Sequence, residues 1–150
     1  MAVISASRVL EIEAGCLRVI HAAAAFIDGN DFDAFCGLFV PEGLLQRPDG
    51  SVLKGRDAIL AAYRARPAWR MSLHVISNTR FSDVSENGCR ATSLVTLWAS
   101  DSRTDAGPQG RAVAQPLVLG EFDDSFVPDG SDWRIARRNA RFLMHSAQSS

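Results

Sequence analysis

The sequence predicts an α+β fold in which helices come first and a mostly antiparallel sheet follows. Two observations carry this. Up to about residue 66, apolar residues recur at helical spacing, interrupted by short turns. From residue 71 onward, four long segments rich in β-branched and aromatic residues alternate in polarity and are separated by turn-forming clusters. Helices packed on one face of a strongly bent sheet would leave a concave pocket.

Residues 7–28 read as the first helix, with Val9, Ile12, Cys16, Val19, Ile20, Ala23 and Ile27 on an apolar stripe. Ser5 or Ser7 is placed to cap its start, and Gly29 to end it. Asp31 is then the expected N-cap of a short second helix, "FDAFCGLF". "GLLQRP" and "SVLKG" flank "DG", a hairpin signal. "GRDAILAAYRAR" reads as a third helix, with Asp57 in its first turn and Pro67 just beyond its end. The expected strands are 71–84, 89–100, 112–127 and 133–145, separated by "SENG", "SDSRTDAGPQG" and "PDGSD". Pro116 inside the third of these points to an edge or a bulge.

Composition narrows the function classes. A chain of 150 residues fits one domain spanning 1–150, with frayed ends expected near 1–6 and 145–150. A net charge of −1 asks for neither nucleic acid nor an anionic membrane, and no apolar run is long enough to span a bilayer. No signal-peptide pattern is seen. The three cysteines, Cys16, Cys36 and Cys89, are widely spaced and form no metal-binding pattern. Buried thiols in a reducing, cytoplasmic setting are the expectation. "GPQG" lacks the Gly-Lys-Ser/Thr ending of a phosphate loop, and no metal or cofactor is expected.

One residue is out of place on local grounds. Asp28 ends the first helix, where the dipole disfavours a carboxylate by a few tenths of a kcal/mol or more. It lies on the flank of Leu10, Leu17, His21 and Ala24, away from the polar wedge of Arg8, Glu11 and Arg18, and is therefore expected to point inward. On the first long strand, His74, Ile76 and Asn78 share one face while Met71, Leu73 and Val75 share the other. The residues alone leave open which face is inner. They also leave open whether Asp28 is simply a turn residue and His74 a satisfied polar group.

"FIDGNDFDAFCGLFVPEG", "LKGRDAI", "LHVISNTRF" and "GEFDDSFVPDGSDWRIARR" together resemble the NTF2-like superfamily, in its SnoaL-like and scytalone-dehydratase-like branches. The resemblance implies a cone-shaped barrel whose open end takes a small, often apolar or aromatic molecule, and a homodimer formed through the outer sheet face. It implies that Asp28 pairs with an inward-facing His74, which would move a proton in a cofactor-independent dehydratase, isomerase or cyclase. The substrate class would be a small cyclic or polyketide-like molecule. The alternative within the same fold is a non-catalytic binding or assembly module, such as the small β subunit of aromatic-ring dioxygenases.

The dehydratase pattern is incomplete. Its tyrosine before the aspartate is replaced by Ile27, "TSLVTLWAS" lacks its second histidine, and the only tyrosine is Tyr63. Scytalone itself is therefore not the expected substrate. Trp69, Trp98 and Phe122 are candidate pocket-lining residues, although large aromatics are more often core. Trp133 is expected to pack structurally, and His21 and His145 are not expected to act. Glu121, Asp123 and Asp124 read as a solvated acidic strand edge. By strict alternation Arg134 and Arg138 share one face and Arg137 and Arg141 the other. Ion pairing with the acidic strand is their expected role, with Arg138 also a candidate to hold an anionic group in the pocket.

Overall fold

The computed structural model describes residues 3–114 and 116–147. Helix α1 (Ala6–Asp28) is capped by Ser5, whose Oγ accepts the Arg8 N–H at 3.2 Å. Its stripe of Ile12, Cys16, Val19, Ile20, Ala23 and Ile27 is buried against the sheet. The left-handed turn residue after this helix is Asn30 (φ 57°) rather than Gly29 (φ −85°). Helix α2 (Phe32–Gly37) is capped by Asp31 and stops two residues short of the expected segment, because Phe39 already belongs to strand β1 (Phe39–Gln46). β1 turns through Arg47–Ser51 into β2 (Val52–Lys54), and α3 (Arg56–Arg64) follows.

The long strands are β3 (Arg70–Ser85), β4 (Gly88–Asp101), β5 (Val118–Asp129) and β6 (Asp132–His145). All six strands form one sheet in the order β2-β1-β6-β5-β4-β3. Every pairing is antiparallel except β1 with β6. The sheet does not close on itself, so β2 and β3 are its edges and the cone is open. α1 lies across β3 and also reaches β4 and β6. The expected strand at 112–127 is corrected: β5 begins at Val118, after Pro116, and Ala112–Ala114 are not in a strand. A proline supplies no N–H to a ladder, and here it precedes the strand rather than bulging it. Gln115 and the outermost residues of the expected frayed ends, 1–2 and 148–150, lie outside the described residues.

Bulges decide which side chains point inward. In β3 the register against β4 slips between Ser77 and Arg80 and again between Ser82 and Ser85, where Asn78 (φ 51°) and Asp83 (φ 53°) adopt the left-handed conformation. Ile76, Thr79, Phe81 and Val84 therefore stay on the partly buried side although they are not evenly spaced by two. In β6, Ser125 pairs with Arg137 while Phe126 pairs with Ile135, which leaves Ala136 as the extra residue. Strict alternation fails there: Trp133, Ile135 and Arg138 are buried, and Arg134 is turned away to pair with Asp129. The expectation that Arg134 and Arg138 share a face is thus corrected by a single inserted residue.

Candidate functional site: a histidine–aspartate pair at a cavity

Asp28 and His74 meet where the end of α1 crosses the start of β3. Asp28 Oδ1 lies 2.6 Å from His74 Nδ1, and Oδ2 accepts the backbone N–H of His74 at 2.9 Å. Ser72, 7% exposed, donates its hydroxyl to Oδ1 at 3.3 Å. The two partners' side chains are only 13% and 14% exposed. A hydrogen bond to a charged group contributes about 1.5–3 kcal/mol, which outweighs the roughly 0.3–1 kcal/mol that the helix dipole costs a carboxylate at this end. The neighbouring flank is mixed: Ala24 is buried but His21 and Leu10 are exposed. Asp28 points inward because β3 crosses beneath it, not because its whole helix flank is buried.

The carboxylate beside Nδ1 requires the ring proton to sit on Nδ1 in the neutral imidazole, leaving the Nε2 lone pair free. His74 lines a cavity of about 360 Å³, and no described residue hydrogen-bonds to Nε2. Asp28 is not among the lining residues and reaches the cavity only through the imidazole. The wall is largely apolar, from Ile27 of α1, Leu45 of β1, Val95 and Leu97 of β4 and Phe122 of β5. Tyr63 of α3 also lines it, and burial pushes its phenol above the usual value.

Phe122 and Arg138 both line the cavity. Arg138 is 1% exposed and makes a two-point pair with Asp124, Nε to Oδ1 at 2.7 Å and the terminal nitrogen to Oδ2 at 2.8 Å. Its guanidinium also lies over the Phe122 ring, 4.1 Å from the centroid. Asp124 is fully buried, which corrects the reading of 121–124 as a solvated edge: only Asp123, paired with Arg90, fits it, while Glu121 pairs with Arg141 at the cavity. The signal was present, since Asp124 shares strand parity with Phe122 and Phe126.

Trp69 and Trp98 are not brought to this cavity. Trp69 is 41% exposed under the Arg103 guanidinium, and Trp98, paired with Leu73, sits 39% exposed on the outer face. Trp133 packs in the core against Gly15, where a Cβ would approach its ring to 2.8 Å. His21 is exposed, and His145 Nδ1 meets the Ser146 carbonyl. Tyr63, Arg47 and Arg66 are lining residues that the sequence reading did not single out. Among the described residues no cluster of His, Cys, Asp and Glu is placed to hold a metal ion, and no helix is long and apolar enough to cross a membrane.

An inward helix-end aspartate gripping a strand histidine inside an open α+β cone defines a small-cavity protein of the NTF2-like kind. Residues 8–139 match the SnoaL-like domain, and the chain belongs to that family. The sequence matches no curated protein at a significant level. Among solved structures, a candidate scytalone dehydratase from Novosphingobium aromaticivorans superposes with a TM-score of 0.80 at 19% identity, over 97% of this chain and 93% of that one. A type 2 hexachlorocyclohexane dehydrochlorinase gives 0.78 at 12% identity, over 97% and 94%. ActVI-ORFA from Streptomyces coelicolor gives 0.71 at 17% identity, over 87% and 96%. At these identities the likeness establishes the shared fold.

Proposed function

We propose that this protein binds a small, mainly apolar cyclic molecule in the cavity and moves a proton on it, as a cofactor-independent dehydratase, isomerase or cyclase. The observation that carries this is the two-point grip of Asp28 on His74, one carboxylate oxygen on the ring Nδ1 and the other on the backbone N–H. That grip fixes the ring's tautomer and orientation, which is what a general base needs. Nε2 accepts a proton from a carbon or hydroxyl of the bound molecule. The resulting imidazolium is stabilised by the adjacent Asp28 carboxylate and can return the proton to a leaving oxygen or to a second carbon. The apolar part of the wall beside His74 lowers the local dielectric and strengthens the electrostatics of the pair. Structural neighbours described as dehydratase and dehydrochlorinase support an elimination or isomerisation on this scaffold.

The test needs no known substrate. A panel of small cyclic ketones and β-hydroxy ketones is incubated with the protein in D2O, and deuterium incorporation next to the carbonyl is followed by NMR. The wild type is expected to promote exchange, His74→Gln to lower it by about 10²–10⁴, the range of a general-base contribution, and Asp28→Asn to lower it as well, through loss of the carboxylate that orients the ring. Binding of panel members that shifts the His74 ring resonances without any exchange would instead identify a ligand-binding module and overturn the catalytic reading.

A further inference from the structure

The cavity wall carries more arginine than its acids answer. Arg138 is closed by Asp124 and Arg141 by Glu121, while Arg47 donates to Ser51 with Asp49 at 3.9 Å. Arg66 and Arg70 remain. Both line the main cavity, both line an adjoining cavity of about 210 Å³, and neither forms an ion pair or side-chain hydrogen bond among the described residues. They flank Pro67–Trp69, the connection from α3 into β3, and so stand on the ridge shared by the two cavities.

Arg66 is partly buried, with its guanidinium 5.5 Å from the centroid of the Tyr63 ring. Burial, and then the like charge of Arg70, hold its pKa below the usual arginine value, while Tyr63 and Asp28 act the other way. Asp28 is already engaged by His74 and Ser72. Two guanidiniums without acidic partners among the described residues, Arg66 partly buried and Arg70 exposed, give this part of the cavity wall a positive charge that a bound anion would offset.

We propose that Arg66 and Arg70 hold an oxyanion group of the cavity ligand, a carboxylate, sulfonate or phosphate, while its apolar body lies against Leu97 and Phe122. The ligand class is then an anionic cyclic or aromatic molecule rather than a neutral one. This rests on the cavity being a small-molecule site, but not on His74 being catalytic. Arg66, Arg70 and His74 line the same cavity, so the anion and the histidine share one ligand space.

The test uses two fluorescent probes with one aromatic body. 8-Anilinonaphthalene-1-sulfonate carries an oxyanion, and N-phenyl-1-naphthylamine is the same molecule without it. The wild type is expected to bind the sulfonate more tightly, with the difference shrinking at high salt. Arg66→Gln with Arg70→Gln should weaken the sulfonate about tenfold, as loss of charge-assisted hydrogen bonds would, and leave the neutral probe unchanged. Arg66→Lys, which keeps the charge, should retain most of the sulfonate affinity and guards against a folding artefact. Benzoate and phenyl phosphate, as displacers, distinguish a carboxylate from a phosphate preference. Equal weakening of both probes, or no change in either, overturns the proposal. If the neutral probe shifts the His74 ring resonances but the sulfonate gains nothing, the oxyanion site is refuted and the cavity reading stands. If neither probe moves His74, both fail.

Discussion

Arg138 and Asp124 offer the sharpest test of how the cavity is held up. Asp124→Leu removes the only acidic partner, among the described residues, of a guanidinium whose side chain is 2% exposed, and replaces it with an apolar group of similar branched shape. Two donors that make contacts of 2.7 and 2.8 Å in the native pair are then left without their acceptors. Breaking a buried pair in this way costs about 3–5 kcal/mol. For a chain of 150 residues each kcal/mol shifts Tm by roughly 2–4 °C, so the expected drop is roughly 6–20 °C. The double variant Asp124→Leu/Arg138→Met should recover most of the loss, because an apolar pair of similar volume needs no desolvation compensation. Urea and thermal unfolding of the four proteins of this cycle, followed by circular dichroism, give the coupling. A single variant that costs under about 1 kcal/mol, the range of a surface pair, would refute the reasoning. So would a double variant no more stable than the single one. In the first case Arg138 would have to swing into the cavity and be solvated there, which an altered neutral-probe affinity would reveal.

Other consequences are simpler. Gly15→Ala should destabilise the fold by about 1–3 kcal/mol in urea unfolding despite its better helix propensity, because its Cβ would come within 2.8 Å of the Trp133 ring; a neutral or stabilising result would mean that Trp133 can move away. Glu86 is held below the usual carboxylate range by its hydrogen bonds to Arg8. Its contribution is therefore present above the unfolded value of about 4.3 and lost as pH falls through the lower folded value. A carbon-detected NMR titration should show this depression and its disappearance in Arg8→Gln. Met71, Leu73, Val75 and Trp98 leave an exposed apolar patch on the outer sheet face, and we expect a second copy to cover it. Light scattering should report a dimer that Leu73→Glu converts to a monomer, and a monomeric wild type at micromolar concentration would refute this.

Local signals made much of the scaffold legible. The apolar stripe of α1, the Asp31 cap, the Asp49–Gly50 turn and the alternation of β3 to β6 are set by contacts within a few residues, so helices and strands could be placed from spacing alone. Asp28 stood out for the same reason, being a carboxylate at the wrong end of a helix dipole. Its partner was not readable in this way. His74 lies 46 residues away in sequence, and only the resemblance to a family linked the two.

The tertiary structure decided which side of each strand faces inward. His74 and Ser72 are inner and Leu73 and Trp98 outer because α1 covers one face of β3, a fact that alternation leaves undetermined. It also decided where alternation breaks. The extra residue Ala136 turns Arg138 into the core beside Asp124 while Arg134 stays outside, and Asn78 and Asp83 do the same for β3. A bulge exists because strands must bend to close over the helices, and that demand arises from the packed whole. The charges of Arg66 and Arg70 can be counted in the sequence, but that they lack acids at the cavity is set by how the α3–β3 connection folds over it.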